Sequence, residues 1–174
     1  GAPGRSTLDC IPCNAGHACT EPKQATLGAE CLAGFYCTGG SKKLAPYESQ
    51  CPIGNYCNET GMTGLSDPNN KQCPPGTYNN IKGASTLAEC VPCPPGFICS
   101  TSGISELKTE MRCPAGYYCP EYGTEDVNDA SKVKICPIGY FCPEWSSTPR
   151  PCEPGTYGTV AGATDKCADC LEGN

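Results

Sequence analysis

Apolar residues are spread thinly along the chain, in ones and twos between polar, Gly and Pro positions. Nowhere do they recur at helical spacing for more than a turn or two. The stretches 38–50, 100–112 and 120–135 are rich in Ser, Thr, Asn, Gly and Lys. This pattern predicts loops and short two-stranded ladders, with one helical turn in SELKTEM, 105–111. No run approaches the about 18 apolar residues of a membrane-crossing helix.

What recurs instead is cysteine spacing. Cysteines fall at 10, 13, 19, 31, 37, 51, 57 and 73, then at 90, 93, 99, 113, 119, 136, 142 and 152, then at 167 and 170. The first two sets match almost step for step, so the chain reads as a tandem array with a period near 80 residues. On this reading 1–9 ends one repeat, 10–89 and 90–166 are two eight-Cys repeats, and 167–174 begins a third. Gly1, Gly83 and Gly162 are equivalent points, so the chain is expected to be a window from a longer array. Cys10 and Cys170 would then pair outside it.

A smaller motif lies inside each period. C-x-x-G-x-x-C occurs at 13–19, 31–37, 51–57, 93–99, 113–119 and 136–142, and an expanded C-x-P-G-T-Y form at 73–78 and 152–157. All eight copies share one glycine, as position i+2 of a type II turn requires. An aromatic usually follows two residues later: Tyr36, Tyr56, Tyr78, Tyr118, Phe141, Tyr157. Each ring is expected to pack on a disulfide and a neighbouring Pro, giving a string of tiny cores.

Composition explains why disulfides must do this. Leu, Ile, Val and Phe number 22 of 174 residues, too few for one large core, while Cys numbers 18. Eighteen cysteines suit an oxidising, extracellular compartment. The net charge of −6, with only 12 scattered Lys and Arg, argues against nucleic acid and anionic membrane partners.

The strings CPPGTYNN…GASTLAECVPCPPGFIC and CEPGTYGTVAGATDKCADC resemble the ephrin-receptor-like cysteine-rich repeat, related to the tumour-necrosis-factor-receptor and EGF-like classes. The CPxGYYCP strings resemble the versions in cysteine-repeat modular surface proteins of protists. The resemblance covers essentially the whole chain. It implies Cys73–Cys90 and Cys152–Cys167 disulfides. The other cysteines either close within each C-x5-C or interlock between neighbouring copies, and the spacing does not choose. Family members are extracellular stalks, ligand-binding ectodomains and structural surface proteins.

Candidate chemistry is sparse. The C-x2-C hooks at 10/13, 90/93 and 167/170 lie too far apart for a structural zinc site, and His17 is the only histidine. No metal site, cofactor or catalytic group is expected: no carboxylate pair recurs in a fixed frame and no nucleophile has a base beside it. The acidic stretch 124–129 reads as a solvated loop rather than a calcium loop, lacking the glycine and distal Glu of an EF-hand. Asn58-Glu59-Thr60 is an N-glycosylation sequon. Trp145, the only Trp, sits in CPEWSSTPRPC with Arg150 nearby; it either covers a disulfide or serves, with Arg150, as the best candidate partner contact.

The expected fold is a small disulfide-rich repeat array, mostly irregular, with β-turns and short ladders, drawn out as an extended rod without a large core. The expected function is structural: a segment of a long cysteine-rich extracellular stalk or filament on a eukaryotic cell surface. It would self-associate into a fibre or meet other extracellular proteins, and would not be an enzyme or insert in a membrane. The alternative is a ligand-binding or adhesive ectodomain module of a surface receptor.

Overall fold

The computed structural model describes residues 13–21 and 27–171. The expectations for 1–9 and Cys10 therefore lie outside the described residues. Among the described residues there is no α-helix. The regular elements are short antiparallel ladders and three single-turn 3-10 segments, Tyr47–Ser49, Leu87–Glu89 and Thr109–Met111. The turn read in SELKTEM is thus confined to its end.

Each C-x-x-G copy builds one hairpin. A tight turn places glycine at positive φ, from +79° at Gly54 and Gly76 to +87° at Gly96. The residue after glycine donates its N–H three residues back, as Phe97 does to Pro94 at 3.2 Å. The chain then runs two or three residues as strand, loops out, and returns to pair just before the next copy. Such pairs are His17–Ala18 with Ala29–Glu30, Asn55–Cys57 with Asn70–Gln72, and Tyr117–Tyr118 with Lys134–Ile135. In two copies the ladder shrinks to one bridge, Phe35 to Gln50 and Phe97 to Arg112.

The disulfides close locally. Six join the two ends of a C-x5-C: 13–19, 31–37, 51–57, 93–99, 113–119 and 136–142. Two longer ones, Cys73–Cys90 and Cys152–Cys167, close the expanded copies in the pairing the resemblance implies. The cysteines of the hook at 90/93 belong to different disulfides. Cys170 is free and exposed.

The described chain divides into two compact units. One takes the residues up to Gln72 with Asn80–Glu89; the other takes Cys73–Asn79 with the residues from Cys90 onward. Residues 73–79 fall with the second unit because Cys73 is bonded to Cys90 and Thr77–Tyr78 pairs with Val91–Pro92.

Within each unit, successive copies are joined by the same backbone bonds. In the first unit Gly34 N–H donates to Cys57 O and Cys51 N–H to Gly34 O, both at 2.8 Å. Cys37 N–H donates to Met62 O and Gly61 N–H to Cys31 O, both at 2.9 Å. In the second unit the four equivalents between two copies are Gly96 to Cys119, Cys113 to Gly96, Cys99 to Thr124 and Gly123 to Cys93, all at 2.8 Å. Buried backbone groups are thereby paired without any long sheet.

The cores are as small as expected, but each spans two copies. In four copies the side chain two after glycine packs on the next copy's disulfide. Tyr36 meets the cluster of Cys51, Cys57 and Met62, and Tyr78 meets Cys93, Cys99 and Ile104. Where that position is not aromatic, Ala18 meets Cys31 and Cys37, and Ile98 meets Cys113, Cys119 and Val133.

The loops carry their own polar locks. One Glu89 carboxylate oxygen accepts from Ser85 N at 2.7 Å, Thr86 N at 2.8 Å, Thr86 Oγ1 at 3.1 Å and Ser85 Oγ at 3.3 Å. Thr86-x-x-Glu89 is half of a capping box for the Leu87–Glu89 turn. Burial pushes the Glu89 carboxyl up, but the N–H and hydroxyl bonds together outweigh it, and its pKa lies below the ordinary 4.5. A lowered carboxylate stabilises the fold above its unfolded-state pKa and loses that contribution as pH falls through the lower folded value. Glu89→Gln keeps a capping acceptor but loses the charge, so it is expected to lower stability at neutral pH by less than about 1 kcal/mol. The penalty should vanish in acid, and amide exchange at Ser85 and Thr86 across pH 2–7, roughly, checks it.

Candidate functional site

The element that sets the site is the residue that follows each copy's second strand position by a short tail. It turns the chain back so that its N–H reaches the first Cys carbonyl of the preceding copy. It is Gly40, Gly61, Gly103, Gly123 or Gly162 in other copies, at φ +68° to +80°. Gly83 takes the same place, donating to Cys51 at 2.8 Å with φ +81°. The copy 136–142 has tryptophan there. Trp145 N–H donates to Cys113 O at 2.9 Å and its φ is +68°, the one non-glycine positive φ among the described residues. The left-handed conformation costs a side-chain-bearing residue about 1–2 kcal/mol. Strain of this kind persists only where the surroundings hold it.

The surroundings do so on both sides. Trp145 follows Cys142 by three residues, the same short tail that separates Gly40 from Cys37. The next residue, Ser146, is buried; its carbonyl accepts from Cys119 N–H at 2.9 Å and its Oγ donates to Pro143 O at 2.6 Å. The indole lies against Gly96, where an added Cβ would come within 2.8 Å of Trp145 Cδ1.

Two further side chains meet the indole. Phe97 presents an edge-to-face contact with ring centroids 5.7 Å apart. The Arg112 guanidinium lies 5.2 Å from the Trp145 ring centroid, a cation–π distance. Phe97 and Arg112 are themselves bridge partners, so one short ladder aims both at the indole. The residue just before each copy's first Cys leans over this tail position elsewhere too: Glu30 over Gly61, Gln50 over Gly83, Ile135 over Gly162. Where the tail residue is Trp, the leaning residue is Arg. Despite these contacts Trp145 remains 54 % exposed.

Arg150, paired with Trp145 in the sequence reading, lies in the strand Arg150–Pro151 opposite Tyr140–Phe141. It lines a separate groove with Glu153, Thr156, Lys166 and Asp169. The cation on the indole is Arg112, which the sequence reading missed. Its signal was present but faint: a Gly-to-Trp exchange in one tail, and an Arg in the matched slot two copies earlier.

The remaining candidates are placed as follows. Asn58 is exposed, its Nδ2 donating to Glu59 Oε1 at 3.2 Å, while Thr60 Oγ1 donates to the Glu30 carboxylate. His17 flanks a turn in the ladder opposite Glu30. The acidic stretch 124–129 is held by local turns: Asp126 Oδ1 accepts Asn128 N–H at 2.8 Å and Asp129 Oδ1 accepts Ser131 N–H at 3.0 Å. The Ser131 hydroxyl, more than its N–H, draws the Asp129 carboxyl below its ordinary value. Among the described residues no group of three or more His, Cys, Asp or Glu is placed to hold a metal ion. No described helix is long and apolar enough to cross a membrane. Comparison with family models and with curated proteins gave no match.

Proposed function

We propose that the chain is a segment of a structural extracellular protein, a cysteine-rich stalk or filament of a eukaryotic cell surface, in the manner of the ephrin-receptor-like repeats it resembles. One observation carries this reading. Within each unit successive copies meet through the same four backbone bonds, complete from copy 13–19 to copy 51–57 and from copy 73–78 to copy 136–142. Bonds of this kind are indifferent to most side chains, so copies can be added without a set limit, as in other repeat arrays. Local disulfides let each copy stand without a large core and support the reading of an oxidising compartment, where such bonds persist.

Electron microscopy of native, unreduced material tests it. Fibres of uniform width, with an axial repeat set by the cysteine period, are the expected result. Dispersed short particles would overturn the filament reading and favour a receptor or adhesin ectodomain. Compartment is tested separately. Expressed through a eukaryotic secretory pathway, the chain should carry an N-glycan at Asn58, released by peptide N-glycosidase and absent from Thr60→Ala. An unmodified Asn58 in secreted material would remove that part of the reading.

A further inference from the structure

The tail position that is glycine in other copies and tryptophan in one is the feature the structural reading leaves unused. Glycine meets the stacking role there without strain; a tryptophan adds strain and leaves a large ring in water. We propose that Trp145 and Arg112, with the groove that Arg112 lines, form a binding site for a neutral pyranose sugar, whether or not the array is a filament.

Three observations converge on that ligand. The indole is anchored by Phe97 and Arg112 yet 54 % exposed, a rigid surface against which the C–H face of a sugar ring can stack. Arg112 also lines an open groove with Ser100, Glu110 and Asp126 over a floor of Ile98, Pro114 and Val127, so the cation on the indole is shared with donors and acceptors for ring hydroxyls. That rim holds two carboxylates to one guanidinium, which disfavours sulfated or carboxylated ligands and suits an uncharged one. A protein partner is the weaker fit: a stable interface takes about 800 Å² from each side, and one indole with a small groove of mixed lining offers far less.

Trp145 is the only tryptophan, so indole emission excited to the red of tyrosine absorption reads this site alone. The probes are the methyl glycosides of glucose, galactose, mannose and N-acetylglucosamine, with heparin as the anionic control. At least one glycoside should shift the emission saturably, with a dissociation constant on the order of 1 mM, typical of one small polar ligand. Isothermal titration of that glycoside with two variants completes the test. Trp145→Gly and Arg112→Gln install residues the chain already uses at the matched positions, Gly123 and Gln50, so both variants should oxidise and fold normally. Trp145→Gly should abolish binding, and Arg112→Gln should weaken it about tenfold, the loss of one charge-assisted contact. No saturable shift with any of the four glycosides would overturn the proposal. So would binding by heparin alone, or binding that survives Trp145→Gly.

Discussion

Gly34→Ala should fail to yield a natively oxidised chain. An added Cβ at Gly34 would sit 2.4 Å from the Gly83 carbonyl oxygen and 3.2 Å from its carbon, and the backbone there is at φ +84°. Both atoms belong to backbone, which cannot swing aside as a flexible side chain can. Moving Gly83 away would strain its 2.8 Å bond to Cys51, and moving Gly34 would strain its bonds to Cys57 and Cys51. Left-handed strain adds about 1–2 kcal/mol, and the steric term should carry the total past about 4 kcal/mol. Gly40→Ala is the control: its φ is +68°, but nothing lies within 4 Å of the added Cβ. It should therefore show only the strain term and still oxidise correctly. Non-reducing peptide mapping reads both, since the native map contains 31–37 and 51–57 peptides and a misfolded chain shuffles them.

Reduction should have the largest effect of all. A strong phosphine reductant in buffer without denaturant is expected to erase amide protection throughout the described residues. On a chain-entropy account each six-residue closure contributes about 2 kcal/mol and each longer one about 3 kcal/mol. Eight such losses exceed the about 5–15 kcal/mol net stability of an ordinary domain. The small clusters offer little in compensation, because cysteines are their main constituents. Hydrogen exchange of Gly34, Gly96 and Gly116 amides checks this. Protection that outlasts full reduction would mean the backbone bonds hold the fold without sulfur.

Local features were the legible ones. A glycine in a fixed place between two cysteines specifies a turn whatever surrounds it, and the glycines at 16, 34 and 96 adopt the positive φ that the turn needs. The disulfide-rich, ladder-and-loop character followed from the shortage of aliphatic residues. What joins one copy to the next was hidden for a physical reason. Those contacts run through N–H and C=O groups, which every residue possesses, so Gly96 to Cys119 leaves no mark on side-chain identity. The choice between local and interlocked disulfides was hidden likewise, since both satisfy the same spacing. Spacing also concealed the tail position: Gly40 follows its cysteine by three residues and Gly61 by four, so the glycines fall out of register when aligned by eye. Arg112 and Trp145 are far apart in sequence, and only the return of the intervening hairpin brings the guanidinium over the indole.

The closures have a mechanical meaning. When a chain is pulled from its ends, hydrogen bonds between copies yield first and release slack from the loops outside the sulfur bridges. The residues inside each bridge stay out of reach: six residue steps for Cys31–Cys37, 17 for Cys73–Cys90 and 15 for Cys152–Cys167. At about 3.5 Å per residue, that stored contour cannot be paid out without breaking a covalent bond. Each copy is thus a stitch that gives a little and then stops. Stretch is shared among many copies before any one of them tears.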